Sequence, residues 1–97
     1  MHKTVILPAA KQDIRTAAAW YNEKQRGLGK RFTNEVREKL AFIQKNPEAA
    51  ANRYKNVRTA TLDLFPFMIH YRIDEEHMQI VVVAVFHTSM SPDRWNR

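Results

Sequence analysis

Apolar positions along the chain change their period several times, and each change marks an element. Thr4-Val5-Ile6-Leu7 is a short apolar run closed by Pro8, which predicts a first strand ending where a helix begins, since proline is tolerated in a first helical turn. Ile14, Ala17, Ala18 and Tyr21 then recur at i, i+3, i+4 and i+7, placing one apolar stripe on a helix of roughly residues 9 to 25. Gly27-Leu28-Gly29 holds both glycines of the protein, so the chain is expected to turn back there. A second helix, about 29 to 46, carries Phe32, Val36, Leu40 and Ile43 on one face, and Asn46-Pro47 ends it because the residue before a proline is pushed out of the helical region.

Residues 48 to 56, EAAANRYKN, show no period and read as a polar connector. Three strands follow, at roughly 57 to 63, 67 to 74 and 79 to 87. Phe67, Ile69, Tyr71 and Ile73 alternate with Met68, His70, Arg72 and Asp74, as in a half-buried strand, and Asp74-Glu75-Glu76-His77 forms the turn after it. Ile80 to Phe86 is apolar on both alternate sets, so this last strand belongs in the middle of a sheet. The order predicts an α+β fold: an N-terminal strand, a helical hairpin and a three-stranded antiparallel meander, with the helices packed on one face of the sheet. At 97 residues the chain is expected to be one domain, 1–97.

Charge alters this picture by its distribution. Residues 1 to 60 carry 13 Lys or Arg against 5 Asp or Glu, whereas residues 61 to 97 carry 3 against 5. A basic N-terminal part suits a polyanionic partner, either nucleic acid or an acidic protein segment, although a solvated helical surface has the same composition. Without cysteine there are no disulfides and no thiolate metal sites. His70 and His77, seven apart, match no dependable metal spacing, so neither a metal nor a cofactor is expected. No apolar run approaches the ~20 residues of a membrane span, and the first residues lack the form of a signal peptide; a cytoplasmic location is the expectation.

The elements A-x-x-D-I (Ala10, Asp13, Ile14), W-Y (Trp20, Tyr21), G-L-G-x-x-F (Gly27 to Phe32), N-P (Asn46, Pro47), V-R (Val57, Arg58), F-P-F-x-I-x-Y (Phe65 to Tyr71) and V-x-H-x-x-x-x-P-x-x-W (Val85 to Trp95) resemble the RelE/ParE superfamily of bacterial toxin–antitoxin toxins. They occur in that order from about residue 6 to residue 95. The resemblance implies a small basic toxin held inactive by an acidic antitoxin. One branch cleaves messenger RNA in the ribosome; the other, ParE, poisons DNA gyrase.

His87 is the candidate catalytic residue of the ribonuclease reading. Such chemistry needs a proton acceptor, a proton donor and cations for the phosphate. The position of the catalytic arginine in some ribonuclease relatives falls near Met68, and Ser89 and Met90 stand where relatives often have arginines, which leaves Arg58, Arg94 and Arg97. The reading that fits better is a ParE-like toxin that binds gyrase and breaks no bond. Its expected target contacts are Arg58, Arg94, Trp95 and Arg97, and its expected antitoxin contacts are Trp20 and Arg31. Two bland alternatives stand beside these: Arg58 paired with Asp63, and Trp95 anchoring the tail on the core. A ribosome-dependent endonuclease using His87, and an inactive relative that only binds antitoxin, remain the competing functions. Residues 93 to 97 are expected to lie at the exposed end of the chain, where their removal costs little of the core.

Overall fold

In the computed structural model, which describes residues 2–96, strand β1 (Lys3–Ile6) leads into helix α1 (Pro8–Lys24), with Pro8 at the helix start. Helix α2 (Leu28–Lys45) returns antiparallel to α1 after a turn in which Gly27 takes φ +87°, the left-handed region open to glycine. Asn22 Oδ1 accepts the backbone N–H groups of Gly27 at 3.0 Å and Gly29 at 3.3 Å, satisfying donors that the start of α2 leaves open. Gly29 itself lies against the Ala18 carbonyl, so close that a side chain would not fit, and this absence lets the two helices approach.

The strands β2 (Asn52–Tyr54), β3 (Val57–Thr61), β4 (Phe67–Asp74) and β5 (Gln79–His87) complete a five-stranded sheet in the order β1-β5-β4-β3-β2. All neighbours are antiparallel except β1, which runs parallel to β5. The expected meander is present, and the doubly apolar last strand is interior, as its composition requires.

Two expectations need correction. The stretch read as an unstructured connector contains β2, joined to β3 through Lys55 and Asn56, both at positive φ (44° and 63°). A three-residue edge strand with largely exposed side chains leaves no alternation to detect. The strand expected to reach residue 63 ends at Thr61, because the backbone N–H groups of Asp63 and Leu64 turn to the Glu35 carboxylate of α2.

A bulge in β5 decides which side chains meet the helices. Tyr71 pairs with Val82 and His70 with Ala84, leaving Val83 as the extra residue. The side-chain phase therefore slips by one, so Ile80, Val82 and Val85 join Phe32, Val36, Ile43, Ile69 and Tyr71 in the core under the hairpin. Ala84 and Phe86 face the other way and form a second cluster with Met68 and Trp95. Beyond β5 the chain makes a short 3-10 turn (Pro92–Arg94) and lays Trp95, 7% exposed, back on the sheet.

Candidate functional site

The bulge also brings His87 to the helix side, two residues beyond Val85. Its ring stands edge-on to Phe67 with centroids 5.1 Å apart. Together they line a groove of about 570 Å³ between α1 and the ends of β4 and β5, with Trp20, Tyr21, Val85 and Met90 among the walls. Trp20, 54% exposed, forms part of the rim, and Lys24 holds its ammonium 4.8 Å from the centre of that ring. The groove is predominantly apolar.

Within this groove the chemistry of His87 is constrained by Ser89. The Ser89 backbone N–H donates to His87 Nδ1 at 3.0 Å, and Ser89 Oγ lies 2.7 Å from the same nitrogen. A backbone N–H only donates, so Nδ1 is an acceptor and the neutral ring carries its proton on Nε2. One carboxylate, that of Asp13, lines the groove; no lysine or arginine does, among the described residues. Asp13 Oδ2 accepts the Val85 N–H at 3.0 Å, tying α1 to β5 just past the bulge. The sequence signal for Asp13 was its place in the A-x-x-D-I element; its hydrogen bond to a strand three-quarters of the chain away was not legible.

The other expected site residues lie apart from this groove. Arg58 is half-buried, and its guanidinium donates to the carbonyls of Ala50 at 2.6 Å and Glu48 at 3.4 Å. Its partner is thus the connector's backbone, while Asp63 meets Lys39 at 3.5 Å. Tyr71 pins the same connector by donating to the Pro47 carbonyl at 2.7 Å. Burial raises the Tyr71 pKa above the usual tyrosine value, with the nearby Arg58 charge acting in the opposite direction.

Trp95 anchors the tail on the core, as the second of its two expected readings had it, and does not sit at the exposed end of the chain. It packs against His70 and Tyr54, with ring centroids 4.8 Å and 5.5 Å away, and Arg53 lies over its ring at 5.5 Å. His70, fully buried, is hydrogen-bonded through Nδ1 to the Tyr54 hydroxyl at 2.9 Å. This aromatic cluster on the face away from the helices escaped the sequence because Tyr54 lies on the unrecognised β2. Lys55 donates to Asn96 Oδ1 at 3.0 Å, so removal of residues 93 to 97 would open this second core. Arg94 is exposed in the 3-10 turn, Arg31 is exposed near the start of α2, and Arg97 lies outside the described residues. Among the described residues, no group of three or more His, Asp or Glu side chains is arranged to hold a metal ion. Among the described residues no helix is long and apolar enough to cross a membrane.

The ordered hairpin, sheet and tail are those of a toxin fold, and the comparisons give it a family. The family described as the ParE toxin of the type II toxin–antitoxin system parDE matches residues 5–92, and the chain belongs to that family, as the toxin component of such a system. A chain of the chromosomal ParDE toxin–antitoxin system of P. aeruginosa is similar in structure, with TM-score 0.80 at 18% identity, over 92% of this chain and 98% of that one. A chain of the intact E. coli RelBE toxin–antitoxin complex gives TM-score 0.70 at 15% identity, over 93% of this chain and all of that one. The isolated E. coli RelE toxin gives 0.69 at 16% identity, over 96% and 90%. The search of curated proteins gives no match.

Proposed function

We infer that this toxin arrests growth by binding a DNA-processing enzyme, DNA gyrase, without making or breaking a bond. The observation that carries this reading is the surroundings of His87. A phosphodiester in that groove would meet the Asp13 carboxylate and apolar walls, with no lysine or arginine among the described residues lining the groove to stabilise the charge of a cleavage transition state. The Ser89 N–H at Nδ1 leaves the proton of the neutral ring on Nε2, so neither ring nitrogen has a free lone pair with which to act as a general base. In the tail, Trp95 is committed to the core, which leaves Arg94 as the exposed cation for target contact among the described residues.

The neutralising partner in this reading is an acidic antitoxin. The apolar groove suits the apolar stripe of an amphipathic helix, with Trp20 at its rim as an anchor, and Arg31 gives an acidic segment a cation on the same hairpin. Strands β1 and β2 at the two sheet edges each offer unpaired backbone for an added strand.

Inducible expression, followed in parallel by plasmid supercoiling with purified gyrase and by mapping of message ends on ribosomes, tests the mechanism. Loss of supercoiling with intact messages is expected. Discrete cuts in ribosome-bound messages with supercoiling untouched would replace binding with endonuclease action.

A further inference from the structure

The helical hairpin turns toward solvent a face that neither the groove nor the tail uses. Residues 8 to 45 hold nine Lys or Arg against four Asp or Glu, a balance of +5 within a chain whose total is +6. Two of the four acids are occupied by backbone: Asp13 by the Val85 N–H and Glu35 by the loop N–H groups of Asp63 and Leu64. Lys11 and Arg15, four apart, share one face of α1, while Lys30 and Arg37, seven apart, share one face of α2. With Arg26 at the turn these are five exposed cations, and none forms an ion pair with a carboxylate among the described residues. Arg15 and Arg37 donate to neutral amides, those of Gln12 and Asn34.

The texture of this face selects the kind of polyanion. Between Arg26 and Lys30 lies a shallow hollow of about 480 Å³ lined by Ala18, Ala19, Gly29 and Thr33, small side chains that let a bulky backbone approach. No aromatic residue lines that hollow: Trp20 belongs to the groove on the other flank of α1, and Phe42 lies with Glu35, Glu38, Lys39 and Asp63 elsewhere on α2. An acidic protein helix needs apolar anchors, and single-stranded nucleic acid needs rings on which to stack its bases. A duplex needs neither, only point charges spaced along phosphates. At the start of α2 the Gly27 and Gly29 N–H groups go to Asn22 and that of Leu28 to the Gln25 carbonyl, so the contact rests on the side-chain cations.

We propose that Lys11, Arg15, Arg26, Lys30 and Arg37 form a sequence-independent contact for the phosphate backbone of duplex DNA. This contact is separate from the proposed gyrase and antitoxin surfaces and does not depend on either. It gives the toxin an affinity for the polymer on which a DNA-processing target works, raising its local concentration there.

The test is fluorescence anisotropy of a labelled 24-base-pair duplex of arbitrary sequence titrated with the purified full chain. Five phosphate contacts predict a slope of log K against log salt of about −4.5, or about a 500-fold loss of affinity between 50 and 200 mM salt. Lys30→Gln with Arg37→Gln should bring the slope to about −2.7. The matched pair Lys3→Gln with Arg72→Gln, exposed cations on the sheet, should leave it unchanged. Circular dichroism of each variant establishes that it is folded. No duplex binding at 50 mM salt overturns the proposal. Equal losses in the two matched pairs overturn it as well, since net charge alone would then suffice. Poly-glutamate binding more tightly than the duplex at equal charge would assign the face to an acidic protein instead. Gyrase inhibition is read separately, so a toxin that fails in that assay and still binds duplex through these residues retains the present contact.

Discussion

Gly29, His87 and Tyr71 each tie one side chain, or the lack of one, to a measurable property. At Gly29 an added methyl group would collide with the Ala18 carbonyl, which is backbone and cannot rotate away. Gly29→Ala is therefore expected to destabilise the fold by about 1–3 kcal/mol as overpacking does, lowering Tm by about 4–8 °C for each kcal/mol; a melting point within error of the parent would mean that the helices separate freely. His87→Ala is expected to change toxicity by no more than a few-fold, where loss of a general acid or base typically costs about 100-fold to 10,000-fold. Growth arrest after graded induction measures this. A loss in the larger range, with the fold intact, would move the function to RNA cleavage. At Tyr71 burial raises the phenol pKa, so the folded state holds its proton more tightly than the unfolded chain does. The resulting stability is fully present below the unfolded value near 10 and is lost as pH rises through the raised folded value. Denaturant midpoints measured from pH 8 to 11 should fall on the alkaline side, with Tyr21, raised by burial too, contributing in the same direction. Tyr71→Phe should flatten that fall while lowering stability at pH 8 by about 1 kcal/mol for the lost bond to Pro47. An unchanged alkaline slope in the variant would remove Tyr71 from the account.

At the scale of elements, both helices and the strands β1, β3, β4 and β5 were legible, whereas the three-residue edge strand β2 and the phase slip inside β5 were not. Both helices lie within a residue of their sequence-derived bounds because each has one buried stripe that only one period fits, and β4 matches its bounds although, against the half-buried strand expected, Met68 and His70 are buried under the second cluster as Ile69 and Tyr71 are under the hairpin. The bulge at Val83 left no mark, since a run of valines is apolar in either phase. That single residue decides whether His87 faces the helices, so the candidate site could be named from sequence but not placed. Edge strand β2 had three residues and too little burial to be seen, and with it went the Tyr54–His70–Trp95 cluster. The tail's motif was readable, and of its two expected directions, exposed or anchored on the core, the structure has the second. Because Trp95 closes a second core, Trp95→Ala is expected to cost about 3–5 kcal/mol. Chemical denaturation checks this, and a cost below 1 kcal/mol would return Trp95 to the surface and to the target.

At the scale of the whole molecule, the two proposed protein contacts lie on opposite layers: the groove with Trp20 belongs to the helix side, whereas the tail that carries Arg94 packs on the sheet's other face. Substitutions in one should therefore leave the other function nearly untouched, because exposed side chains more than about 10 Å apart without shared partners act additively. Trp20→Ala removes an exposed ring from the groove rim without opening a core. If Trp20 anchors the antitoxin, a central aromatic contributes at least about 2 kcal/mol, so affinity should fall roughly 30-fold or more while gyrase inhibition stays within a factor of two. Arg94→Ala should do the reverse, weakening inhibition of supercoiling while the toxin still co-purifies with its antitoxin. The pair of variants is decisive only together. Should both lose inhibition and neither lose antitoxin, the groove is the target's surface and the partners exchange places; should both lose both, target and antitoxin compete for one continuous surface and neutralisation is direct exclusion.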